Sequence, residues 1–129
     1  MARRLAVLLA GASLVLAPAA SAAPFKATLL AGTHTPKVNA KWAYAVRAVD
    51  LQGRPIRATI TTQIVDPFGG VHAVEFGDTH KLVTAFPFTG VFRDFIRFPA
   101  DSRGFKVTVR MTVRAKGAKV VLTYGITAR

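Results

Sequence analysis

Three histidines and six acids carry most of the chemistry this chain could perform, because it has no cysteine and its only serine beyond residue 22 is Ser102. A nucleophile needs a base and an orienting group beside it. Ser102 lies in Asp101-Ser102-Arg103-Gly104, a turn sequence rather than a strand-to-helix elbow, and reads as a corner hydrogen-bonder. Paired-carboxylate hydrolysis would have to draw on Asp50, Asp66, Glu75, Asp78, Asp94 and Asp101 alone. Of these, Asp50, Asp66 and Asp101 stand in turn sequences, where aspartate bonds nearby backbone. The inventory predicts a protein that is not an enzyme.

The one cluster with ligand character is His72, Glu75, Asp78 and His80 in the run HAVEFGDTH, with His34 remote from it. Imidazole and carboxylate bind copper or zinc, and a short strand followed by a turn could bring His72 near His80. Period-two geometry opposes this by placing His72 and Glu75 on opposite faces, and no H-x-H or H-x-x-x-H spacing occurs. Met111 is the only methionine after the first residue, and Ala23-Pro24-Phe25 offers no histidine for an amino-terminal copper site. An extracytoplasmic copper or zinc binding protein using His72 and His80 is the alternative reading; no resident cofactor is expected.

Cations are the other resource: 18 Lys and Arg against 6 acids give a formal net charge of +12. Val107, Val109, Met111 and Val113 alternate with Lys106, Thr108, Arg110, Thr112 and Arg114. If the apolar set points inward, Lys106, Arg110 and Arg114 point out, beside Lys119 on the partner strand, and Arg57 joins them if its strand lies in the same sheet. Such a row could hold a phosphate- or carboxylate-bearing polymer. Its plain counterpart is a solvated face, since alternation demands polar residues there anyway.

Arg93, Phe95 and Arg97 form a second patch. An outward Phe between arginines is either a binding hot spot, a ring covered by a neighbouring loop, or one turned inward by a bulge. No nucleic-acid-binding motif accompanies the charge, so nucleic acid is not the expected partner.

These residues must be positioned by strands. Residues 1–22 have the parts of a signal peptide: Arg3-Arg4, an apolar run from Leu5 to Leu16, and a small-residue exit at Ala20-Ser21-Ala22. Export is expected, with no stable membrane span after its removal. Residues 23–129 are one domain in size, large enough to fold without a disulfide.

Phe25–Ala31 reads as a first strand and Lys41–Asp50 as a second, with Trp42 in the core and its indole N–H in need of a partner. Asp50-Leu51-Gln52-Gly53-Arg54-Pro55 is a turn; Ile56, Ala58, Ile60 and Ile64 follow in phase up to Asp66-Pro67-Phe68-Gly69-Gly70. Val71–Phe76 is short, Lys81–Ala85 an edge strand, Phe86-Pro87-Phe88 a break in any ladder, and Val91–Phe98 extended again. Phe105–Thr127 is a hairpin around a Gly-containing turn. No segment outside the first 22 residues holds a 3.6-residue period over ten positions. Seven to eight strands predict an all-β, antiparallel β-sandwich, with a small barrel second.

Two stretches carry a family resemblance. Asp101-Ser102-Arg103-Gly104-Phe105-Lys106-Val107 resembles the E-to-F corner of immunoglobulin-like domains, with Phe105 where the corner tyrosine stands and Val107 where the second cysteine stands. The hydroxyl hydrogen bond and disulfide of antibody domains are therefore absent, which excludes an antibody-like relative but not the sandwich. Val49-Asp50 with Gly53-Arg54-Pro55-Ile56 is similar to the D-x-x-G-[KR]-P-[VI] turn of bacterial exported immunoglobulin-like domains, families with adhesive, wall-associated and copper-handling members. The resemblance implies an immunoglobulin-like sandwich over residues 23–129, with the terminal hairpin as its F and G strands. Together with the residue inventory it points to a non-catalytic exported binding or structural module of the cell envelope or the medium, with an anionic envelope polymer or a protein as partner.

Overall fold

Alternation of β-branched and polar residues becomes eight strands in the computed structural model, which describes residues 23–129. The leader expected over residues 1–22 lies outside the described residues. The strands are β1 (Phe25–Ala31), β2 (Lys41–Asp50), β3 (Arg57–Val65), β4 (Val71–Ala73), β5 (Phe86–Thr89), β6 (Val91–Arg97), β7 (Lys106–Ala115) and β8 (Ala118–Thr127). They form two antiparallel sheets, β1-β2-β6 and β4-β3-β7-β8, with β5 also paired to β3. Consecutive strands β2 and β3 lie in different sheets, as do β5 and β6, and β6 and β7. This is the Greek-key connectivity of an immunoglobulin-type sandwich.

The inward phases meet in a single core. Phe25, Trp42, Tyr44, Val46, Phe92 and Ile96 from the smaller sheet pack against Ile60, Val109, Met111, Val113 and Ile126 from the larger. Each fully buried aliphatic or aromatic side chain contributes on the order of 1.5–3 kcal/mol relative to exposure, and with no cysteine the core has no covalent help.

Trp42 finds its partner in the loop after β1: the indole N–H donates to the Thr33 carbonyl at 2.8 Å. The same loop is held from the other sheet, where Tyr124 Oη–H donates to the Gly32 carbonyl at 2.8 Å and the His34 ring stacks on Tyr124 at 4.1 Å. The backbone N–H of Thr127 donates to the His34 carbonyl, so the loop covers part of the β8 edge. Gly32 lets the loop approach closely, since a side-chain carbon there would sit 3.2 Å from the Trp42 indole nitrogen and press on the ring.

Three local expectations are corrected. Lys81–Ala85 is not a strand: β4 pairs with Gln63–Val65 and β5 with Arg57–Ile60, leaving only the middle of that β3 edge for this segment. Val83 crosses it as a single buried residue, accepting from the Thr62 N–H at 3.0 Å and donating to the Val74 carbonyl at 2.8 Å. Phe86-Pro87-Phe88 does not break the ladder but forms β5, an edge strand on which the missing proline N–H is tolerated. The strand begun at Val71 stops at Ala73 because Val74 turns into the core.

At the β6–β7 corner, Ala100–Ser102 makes one 3₁₀ turn and Ser102 Oγ–H donates to the Pro99 carbonyl at 2.6 Å, the corner bond its sequence predicts. Val107 is in the core as expected, but Phe105 is 47% exposed; Phe98, before the corner, is the buried aromatic. The β7–β8 hairpin turns through Lys116 and Gly117, with φ of 51° and 73°. Positive φ at both central residues is the two-residue turn whose twist matches the strands it joins.

Candidate anion-binding face

The outer face of the larger sheet collects the cations that the alternation pointed outward. On β7 these are Lys106, Arg110 and Arg114, with Thr108 and Thr112 between them. The register sets Arg114 directly across from Lys119 on β8 and across from Thr59 on β3, and sets Arg110 between Thr123 and Gln63. Arg57 belongs to β3, so it shares this sheet and faces outward. All five cations expected on this face are on it.

None of the five is ion-paired among the described residues, where the arginines paired to aspartate are Arg54 with Asp50 and Arg97 with Asp78. No acid faces outward from β3, β7 or β8. Like charges directly opposite on neighbouring strands repel, so the Arg114–Lys119 pair is unfavourable in water and relieved by an anion placed across it. Beside it, Arg57, Thr59, Pro87, Phe88, Thr89 and Arg114 surround an open depression of about 480 Å³. Arg110 is held flat on the sheet by an Nη2–H donated to Gln63 Oε1 at 2.9 Å, leaving its remaining donors free.

The second patch divides. Arg93, Phe95 and Arg97 do alternate outward on β6, opposite Ala45, Ala43 and Lys41. Phe95 is covered by a neighbouring loop: a side-chain carbon on Gly77 would lie 3.2 Å from its ring, while Lys41 Nζ stands 4.6 Å and the Arg97 guanidinium 5.4 Å from the ring centroid. Arg97 grips Asp78 through two bonds of 2.8 and 2.9 Å. That contact holds the Asp78 carboxyl below its ordinary range. Two of the three residues are thus engaged in fastening the loop, and only Arg93 overlooks the small-residue floor of Ala43 and Ala45.

The histidines are occupied separately. His72 Nε2 lies 2.7 Å from Asp66 Oδ2, and Asp66 Oδ1 accepts the N–H groups of Phe68 and Gly70, both at 2.8 Å. The His72 bond first, then those backbone donors, hold the Asp66 carboxyl below its ordinary range. His80 Nδ1 is 3.6 Å from Glu75 Oε2. Among the described residues no group of three or more histidines and acids converges on a point where a metal ion would sit. The braced turn is rigid enough to test. A side-chain carbon at Gly70 would collide with the Asp66 carboxylate, so Gly70→Ala is expected to cost about 1–2 kcal/mol in a urea titration; no change would mean the turn yields freely.

A polar cluster between the sheets has no counterpart in the sequence reading. Tyr44 Oη lies 3.0 Å from Asp94 Oδ2 and 2.9 Å from Thr62 Oγ1, and Asp94 Oδ1 accepts the Gly77 N–H at 2.7 Å. The phenol has one proton; the carboxylate is the stronger acceptor, so Thr62 donates to the phenol oxygen in turn. Thr62 and Asp94 are both buried. Burial pushes the Asp94 carboxyl up against the pull of its backbone donors, and pushes the Tyr44 phenol up as well. Each member has its partners and faces the core, so the cluster fastens β2, β3, β6 and the Gly77 loop together rather than presenting a reactive group. Asp94 shares the inward phase of Phe92 and Ile96, which was the available signal.

Neither a protein-family model nor a curated protein matches this chain.

Proposed function

We propose that the protein is an exported, non-catalytic binding module that holds an anionic polymer of the cell envelope on the outer face of its larger sheet. The observation that carries this reading is the face itself: Arg57, Lys106, Arg110, Arg114 and Lys119 together, with no acid among them and no ion pair. Export rests on the pattern of residues 1–22, and a non-catalytic role on the single serine beyond them, the missing cysteine and the acids held in turns, clamps and the core.

Single exposed charges contribute little because water and salt screen them over about 8–10 Å. Several cations on one rigid sheet act together on a polymer, whose counterions they release, so affinity should fall steeply with salt. The test is retention of the protein on isolated cell-wall polymers at low and moderate salt. Replacing Lys106, Arg110 and Arg114 together by Gln is expected to weaken binding by about 30- to 100-fold and to lower the salt slope by about 2–3, with little change in melting temperature. Retention indifferent to salt, or unaffected by the triple replacement, would remove this reading.

A further inference from the structure

The outward side chains of β7 alternate in kind as well as in direction: Lys106, Thr108, Arg110, Thr112, Arg114. Successive outward positions on a strand are two residues apart, roughly 6.6 Å, so a cation recurs about every 13 Å with a hydroxyl midway. The flanking strands add donors, with Thr59, Thr61 and Gln63 outward on β3 and Lys119 and Thr123 outward on β8 on either side of the exposed Val121. A linear polyanion lying along β7 would therefore meet a hydrogen-bond donor about every 6.6 Å.

Anionic polymers differ in their repeat. A phosphodiester chain built on a three-carbon polyol has six backbone bonds per repeat. At about 1.2 Å advanced per bond, the value for an extended peptide with three bonds in 3.6 Å, its phosphates recur at roughly 7 Å. A chain of carboxylated sugar rings advances less per charge, because each ring folds its bonds back on themselves, and it falls out of step with the donors within a few units. Threonine hydroxyls also suit an anion whose charge is spread over several oxygens, since successive phosphates can take a charged and a neutral donor in turn.

Single-stranded nucleic acid has the same six-bond repeat, but its bases need rings to stack on. No aromatic side chain points outward from β3, β7 or β8. Resting on the anionic-polymer reading above, we infer that the ligand is a polyol-phosphate chain laid along β7. Its phosphates meet Lys106, Thr108, Arg110, Thr112 and Arg114 in turn, and one end lies at the Arg57–Arg114–Lys119 cluster.

The experiment is calorimetric titration of the purified protein with three probes of equal charge number: synthetic poly(glycerol phosphate), an oligogalacturonate and oligothymidylate. Poly(glycerol phosphate) is expected to bind at least about 10-fold more tightly than either of the others, the worth of one to two well-made hydrogen bonds. Thr108→Val with Thr112→Val keeps the strand-forming shape and should weaken poly(glycerol phosphate) about 5-fold or more while leaving the galacturonate unchanged. Gly125, across from Thr108, has open space where a side chain would project, so Gly125→Glu should weaken phosphate binding by its charge and leave the fold intact.

Equal affinity for both polyanions, or no effect of the threonine pair, would overturn the polyol-phosphate assignment and leave the anionic-polymer reading in place. Binding to none of the probes would overturn both. Tighter binding of oligothymidylate would transfer the face to nucleic acid and overturn the inference.

Discussion

Phe98→Ala is expected to remove about 3–5 kcal/mol, a large share of the roughly 5–15 kcal/mol that holds a domain of this size together. Phe98 is 1% exposed and meets Trp42 edge to face, with ring centroids 5.8 Å apart. Its backbone is fixed from both sides: the Phe98 carbonyl accepts from Asn39 at 2.8 Å, and Pro99 and a 3₁₀ turn follow at once. A site so constrained collapses poorly around a cavity, which puts the cost at the upper end. No disulfide limits the damage. Urea unfolding followed by Trp42 fluorescence gives the measurement, with Phe105→Ala alongside it. Phe105 is half exposed, so its loss should stay within about 0.5 kcal/mol. A loss under about 1.5 kcal/mol at Phe98, or a larger one at Phe105, would place the corner aromatic where the family resemblance put it instead.

That contrast shows where sequence pattern reaches its limit. β1 and β2 were legible to their ends, because period-two alternation over seven and ten residues leaves one way to bury the apolar set. The terminal hairpin was legible for the same reason, with a Lys-Gly turn that accepts positive φ. Between Ala73 and Thr89 the pattern failed, since the chain there is placed by long-range demands. The β3 edge needs partners at both ends, and Val83 is pulled inward by hydrogen bonds from Thr62 and to Val74. A Phe-Pro-Phe run reads locally as a breaker and becomes a strand only because β3 offers it an outer edge.

The binding face divides along the same line. That Lys106, Arg110 and Arg114 share a face follows from alternation alone, and Lys119 follows from the hairpin. Arg57 joins them only through the β3–β7 pairing, a contact between segments some fifty residues apart. The Arg93-Phe95-Arg97 patch shows the opposite case: its outward direction was legible, but the loop carrying Gly77 and Asp78 that occupies it was not. The joint role of Asp94 and Thr62 is not legible in the sequence, because a polar residue in an inward phase looks like noise until the other strands it meets through Tyr44 are known.

The buried cluster makes the second large effect a matter of pH. Burial raises the Tyr44 phenol well above its ordinary value of 10.0, so the fold holds a proton that the unfolded chain releases near that pH. The phenol's contribution is therefore complete below about pH 10 and is lost as pH climbs beyond it, by up to about 1.4 kcal/mol per pH unit. Asp94 has the same sign lower on the scale: its carboxyl is raised from 3.8, so its protonated form favours the fold, and that advantage drains as pH rises through the folded value. Asp50, Asp66 and Asp78 run the other way. Their carboxyls are lowered from 3.8, so their contribution is present above that pH and lost as pH falls through the folded values. Acid thus withdraws three surface contacts while relieving one buried charge, and the alkaline side is where a single residue dominates. Tyr44→Phe is expected to cost about 1–3 kcal/mol at neutral pH, because it leaves the Asp94 carboxylate one donor short. The gap to the unaltered protein should then narrow above about pH 10, where only the latter has the buried Tyr44 phenol to ionise. Urea midpoints taken from neutral to strongly alkaline pH decide the matter: a gap that stays constant across pH 10 would mean the phenol ionises as easily in the fold as out of it, and the cluster would then not be closed to water.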